Sequence, residues 1–340
     1  PALGDGTFEN PFNNLADLEA NSLPRDILLA HADSVFAGEM ITLQALQRFL
    51  GEGPFTTHFV DTFNLGTLMI PLANPAGVAQ PVILNSPGNA VELANFSEVS
   101  GLTINMAGGA GIFADGINGN ANVNQMDIMN SVRGVEVRNS SGTFTFDSID
   151  IAGSIGSGVL FDNNTGITTY TGGSITGSIG PAVDINGGVP IIDFINPNIT
   201  NAAGRVIDIN GTALGSVVTF TGGTINDNGG TGALFSGIDG EVAVNSPLTI
   251  ANSTSTGVDI QGGTGIIGFG DLSIANAAGT AFNVDGGSAR VNVAVNNFTN
   301  TNGFVLAVQN TVPGSDIRFA GGGSITDIGG QGMLFNNVGG

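Results

Sequence analysis

The residues of this chain best placed to do chemistry are Asp184 and Asp208. Each sits at the centre of an apolar–Asp–apolar triplet, Val183-Asp184-Ile185 and Ile207-Asp208-Ile209. If the triplets are neighbouring strands, both carboxylates face the same way, roughly 5 Å apart. That is near the separation of about 5–5.5 Å used by retaining glycosidases. Two like charges at that range repel by about 1 to 3.5 kcal/mol for an effective dielectric between about 80 and 20. A bound cation such as Ca2+ or a raised pKa relieves the repulsion. The pair therefore reads as a solvated acidic face, a weak cation site, or an acid–base couple acting on acidic glycans.

Other chemistry is poorly supplied. Cysteine is absent, so there is neither a thiol nucleophile nor a thiolate metal site. His31 and His58 are the two histidines, and nothing in the sequence spaces them with a ligand carboxylate. There is no Trp or Lys, and the lone Tyr170 has no aromatic partner in its repeat, so a sugar-stacking platform is missing. The Gly-rich stretches 107–111 and 321–323 match neither a P-loop nor a dinucleotide fingerprint and read as turns. No cofactor is called for beyond weak Ca2+.

What positions the two acids is a repeat. Apolar–x–apolar triplets after a small residue begin at Val91, Ile112, Val135, Val159, Val183, Ile207, Ala233, Val258, Phe282, Leu306 and Met333, with 24 the commonest step. A second column keeps the same beat: Ile104, Ile128, Ile151, Ile175, Ile199, Ile225, Ile250, Ile274, Phe298 and Ile325. Between them falls a third strand-like piece, such as Phe144-Thr145-Phe146 or Val217-Val218-Thr219-Phe220. Two residues beyond the second column stand Met106, Asn130, Gly153, Gly177, Asn201, Asp227, Asn252, Asn276, Asn300 and Asp327. Most are types that tolerate the left-handed backbone of a sharp corner, and stacked Asn could bond from turn to turn.

Three short strands and three turns per repeat predict an all-β fold: a single-stranded parallel β-helix of about 24 residues per turn and about thirteen turns. It is expected to be right-handed, like nearly all parallel crossovers. Residues 13–22 read as a short helix capping the open edge. Residues 1–53 form the amino-terminal cap and first strands, and 54–340 the solenoid. The outward column of the first strand includes Phe113, Leu160, Leu234 and Leu334, a candidate stripe for lateral packing.

Composition bounds the partners. The chain of 340 residues carries 28 acids against seven bases, a net charge of −21, and all seven bases are Arg. Such a chain has no footprint for nucleic acid or anionic lipid. No apolar run reaches the length of a membrane span. The start at Pro1, without a signal peptide, suggests a mature or trimmed form.

Asp5-Gly6-Thr7-Phe8-Glu9-Asn10-Pro11-Phe12, with Leu15 and then Asp26-Ile27-Leu28-Leu29, resembles the entry sequence of bacterial right-handed β-helix surface proteins, autotransporter-like passengers among them. The resemblance implies secretion and cell-surface display. The same superfold carries pectate lyases, so fold alone does not settle activity. The expected function is a structural or adhesive surface protein, with a polysaccharide lyase or hydrolase and a passive spacer as alternatives. Candidate partners are carbohydrate or host surfaces. At the carboxyl end, further chain or another copy is expected to cover the last turn, a second copy giving a head-to-tail fibre.

Overall fold

The computed structural model describes residues 11–52, 58–62, 66–70, 79–201, 203–300, 302–327 and 330–339. The chain is a parallel β-solenoid of stacked rungs, each contributing a strand to three ladders. The first ladder holds twelve strands, from Ile41–Thr42 to Met333–Asn336. Twelve rungs replace the thirteen expected. Its register is the column read from the sequence: Val91, Ile112, Val135, Val159, Val183, Ile207, Ala233, Val258, Phe282, Leu306 and Met333 are successive partners, with Ile41 ahead of them.

The inward positions form one continuous core. On the second ladder, Phe146, Tyr170, Phe194 and Phe220 are partners in successive rungs. Phe194 and Phe220 stack 4.6 Å apart with planes 2° from parallel. A parallel in-register sheet places equivalent side chains on top of one another, so flat rings repeat with the strand spacing. Tyr170 lies 5.6 Å from Phe194 and 6.2 Å from Phe146, so the tyrosine expected to lack aromatic neighbours finds them in the rungs on either side.

The second and third ladders meet at a bend. Ala121–Met129 and Thr143–Ala152 run through it as single strands, turning at Gln125 and Ser148, whose φ values are 52° and 55°. At the far corner, Asn130, Gly153, Gly177, Asn252 and Asn276 take positive φ, as their types foretell, and Met106 takes it although its type does not favour it. The Asn residues also bond in short exposed ladders: Asn276 Nδ2 donates to Asn252 Oδ1 at 3.2 Å, and Asn252 to Asn228 at 3.1 Å.

Three features depart from the sequence reading. Asn201 and Asp227 continue their strands and turn inward, almost fully buried. Beside Asp227 the second apolar column slips by two residues: Ile225 pairs with Leu248, and Ile250 stands opposite Asp227. At the amino-terminal end the expected first strands are present, Ile27–Ala30 and Arg48–Gly51, and they belong to the stack, since Arg48 pairs with Glu98 and Ile41 with Val91. The third departure lies in the chain between Arg48–Gly51 and Val82–Leu84, an insertion whose strands His58–Thr62 and Gly66–Ile70 pair antiparallel, apart from the solenoid ladders.

The helix expected at 13–22 runs from Leu15 to Asn21, capped by Asn14, whose Oδ1 accepts from Asp17 N at 2.6 Å. Leu15 is buried against the first rung, and Glu19 accepts the Thr42 N–H at 3.0 Å. The free edge of the first ladder is thus met by a side-chain acceptor rather than left open to another strand. The entry residues 5–10, Gly53 and Gly340 lie outside the described residues.

Candidate functional site

Glu136, Leu160, Asp184 and Asp208 occupy four consecutive strands of the first ladder and project outward in one row. Strand alternation alone would leave all four in water. Instead Glu136 is 2% exposed and Asp208 6%. The cover comes from arginines at the strand ends. Arg133 Nη1 lies 3.1 Å from Glu136, and Arg138 closes on the same carboxylate from the other side. Arg205 Nη1 lies 2.7 Å from Asp208. The Arg138 guanidinium also sits 5.8 Å over the Phe113 ring. Of the apolar residues in this column Leu160 is buried, and Phe113, Leu234 and Leu334 are partly exposed.

Asp184 and Asp208 are strand partners, as their spacing predicts. Their surroundings differ. Asp208 is compensated by Arg205 and accepts from Asn210 Nδ2. Asp184 has only neutral donors, Ser157 Oγ and Asn186 Nδ2, each at 2.8 Å. Burial pushes the Asp184 carboxyl above its usual range. The Ser157 and Asn186 bonds oppose that rise, nearby Asp208 adds to it, and Arg133 lowers it slightly. The couple thus has an arginine-clamped member, Asp208, and a member with neutral donors whose carboxyl burial raises, Asp184.

The oxygens of both carboxylates are engaged by the chain's own donors. A cavity of about 400 Å³ lies elsewhere, between the helix and the first strands, lined by Phe12, Leu18, Leu28, His31 and Phe36 among others. Among the described residues, no group of three or more His, Cys, Asp or Glu is arranged to hold a metal ion. His31 does have a carboxylate partner, Glu52, with Nδ1 3.0 Å from Oε1, a pairing its sequence spacing did not reveal. The His58 side chain lies outside the described residues.

Asp227 was read as a plain corner and is not one. Its two oxygens accept the N–H groups of Gly230 at 2.9 Å and Gly232 at 2.7 Å, clipping the turn into the next first-ladder strand. Burial raises its carboxyl to about 6 even though both bonds favour the charged form. The signal that reveals it is Asp-x-x-Gly-x-Gly, written at 227–232 and again at 327–332.

Fold and site together define a parallel β-solenoid in which Glu136, Asp184 and Asp208 on the first ladder are bonded by the chain's own side chains. Comparison with known proteins adds no relative: no family model, no curated protein and no solved structure matches the chain. No helix among the described residues is long and apolar enough to cross a membrane.

Proposed function

We propose that this chain is a secreted or cell-surface scaffold of bacterial origin, adhesive or structural in its work rather than catalytic. The observation that carries the reading is the closed outer row of the first ladder. The groups there that could attack or bind a small substrate are already bonded to Arg133, Arg138, Arg205, Ser157, Asn186 and Asn210. What remains is a long surface carried on a continuous apolar stack, suited to presenting contacts at fixed intervals to a carbohydrate or a host surface. Antibodies raised against the folded chain should label intact source cells. Labelling confined to lysed cells would overturn display.

The unequal environments of Asp184 and Asp208 favour one second reading, hydrolysis or elimination on an acidic glycan. It requires reducing ends or unsaturated products from such a glycan, abolished by Asp184→Ala. A chain that releases neither from any acidic glycan tested argues for the scaffold. A spacer role makes a different demand: beads coated with the chain should then bind neither glycans nor cells.

A further inference from the structure

Leu214 is 83% exposed, more than any other large apolar side chain among the described residues. The length of its turn puts it there. Four residues separate Asn186 from Ile191, and six separate their strand partners Asn210 and Val217. The longer turn carries Leu214 out into water. A single exposed leucine needs no explanation, but this one has apolar neighbours. Gly215 beside it lies against Val189, since a Cβ placed on that glycine would stand 3.4 Å from Val189 Cγ1. Val189 is itself exposed, and so are Ile191 and Ile195 on the outer face of the second-ladder strand that follows. In register with Ile191 stand Ile167, exposed, and Val217, half-buried. Apolar side chains from three neighbouring rungs thus share one outward face, in the middle of the solenoid.

That face holds one charge. Asp193 projects outward between Ile191 and Ile195 on the same strand. Its Oδ1 accepts from Thr219 Oγ1 at 2.5 Å, and none of the ion pairs among the described residues includes it. The rim repeats the sign. Asp147 stands in register with Thr171 in the rung before, and Glu241 with Val217 in the rung after, and both are exposed.

A clustered apolar surface of this kind marks a contact site, and its charges select what covers it. A second copy fits poorly, because it would set Asp147, Asp193 and Glu241 against the same acids, on a chain whose net charge is −21. A cover with aliphatic side chains around a positive charge answers both features. We propose that the outward face of residues 167–217 on the second ladder is a docking site for a segment of another protein in which a lysine or arginine stands among aliphatic side chains. The aliphatic groups cover Leu214, Val189, Ile167 and Ile191, the cation meets Asp193, and the acidic rim steers the approach. Docking of this kind goes beyond the display role and does not require it.

The test selects a phage-displayed library of random peptides on the full chain. Recovered peptides are synthesised and titrated by fluorescence anisotropy against wild type, Leu214→Ser and Asp193→Asn. The Leu214 side chain has little packing to lose, so the thermal midpoint of Leu214→Ser should match wild type. Bound peptides should carry a lysine or arginine flanked by aliphatic residues, and each substitution should weaken them about tenfold or more. Binding that either variant leaves unchanged overturns the proposal, because attraction to an acidic chain then accounts for the capture. Recovered peptides that depend on Leu214 but are acidic or uncharged overturn it too, and so does recovery of none. Dimerisation of the wild-type chain in sedimentation, abolished by Leu214→Ser, would make a second copy the occupant and would overturn it equally.

Discussion

At the scale of single residues, Asp127, Asp184 and Asp227 are the carboxylates raised above their ordinary range, and Asp227 carries the clearest pH dependence. Asp227 is held at about 6, above the ordinary carboxylate range, chiefly by burial. A folded-state pKa raised above the unfolded one contributes stability that is fully present below the unfolded value, near 4, and is lost as pH rises through about 6. Asp227→Asn removes that component. The difference in thermal midpoint between wild type and variant should therefore change between about pH 4 and 6 and be flat above and below. Parallel profiles would refute the assignment. Asp184, also raised by burial, acts with the same sign. At neutral pH Asp184→Asn gives up one acceptor but relieves a partly buried charge beside Asp208, so stability should move by less than about 1 kcal/mol in either direction. A loss well above that, in chemical denaturation at pH 7, would mean the Ser157 and Asn186 bonds matter more than the repulsion.

At the scale of strands and rungs, the aromatic stack is the strongest local contribution. Phe194 touches Phe161, Tyr170 and Phe220. Phe194→Ala opens a cavity between three rungs and should cost about 3–5 kcal/mol. Tyr170→Phe leaves the Ile149 carbonyl without the hydroxyl that donates to it at 2.8 Å, and should cost about 1–3 kcal/mol. Denaturant midpoints rank the two, and a Tyr170→Phe loss exceeding that of Phe194→Ala would reverse the packing argument. These elements were legible because alternation has period two and the rung returns near every 24 residues, so inward positions fall in columns. The slip at Ile225 was not legible. Leu248 and Ile250 are both apolar and both inward, so composition fits either register, and only the clip at Asp227 decides between them. The inserted hairpin was missed because Thr62-Phe63-Asn64-Leu65-Gly66 carries none of the two-residue hairpin signals. The Asp184–Asp208 pairing could be read from spacing. Its cover could not, because Arg205 reaches Asp208, and Arg133 reaches Glu136, only once the turn before each strand has folded back.

At the scale of the whole molecule, the net charge of −21 acts over the length of the stack. Twelve rungs at about 4.8 Å span roughly 50 Å. In about 0.01 M salt the screening length is about 30 Å, so acids many rungs apart still repel. At about 0.15 M it falls to about 8 Å, and only charges within two rungs interact. Stability should therefore rise with sodium chloride over that range and then level off, leaving the repulsion of close pairs. Two such pairs lie in register on neighbouring strands, Asp184 with Asp208 and Asp127 with Asp150. The second pair is the less compensated. Burial and the charge of Asp150 both raise the Asp127 carboxyl, and Ser174 Oγ donates to Asp150 at 2.6 Å. A divalent cation relieves these residual repulsions, whereas a monovalent one at equal ionic strength only screens them. Excess calcium at a constant ionic strength of about 0.15 M should thus raise the thermal midpoint by a small amount over chelator. Asp127→Asn should remove more of that rise than Asp184→Asn, because Arg205 already neutralises the partner of Asp184. Equal midpoints in calcium and chelator would show that the chain tolerates its close acids without a bound ion.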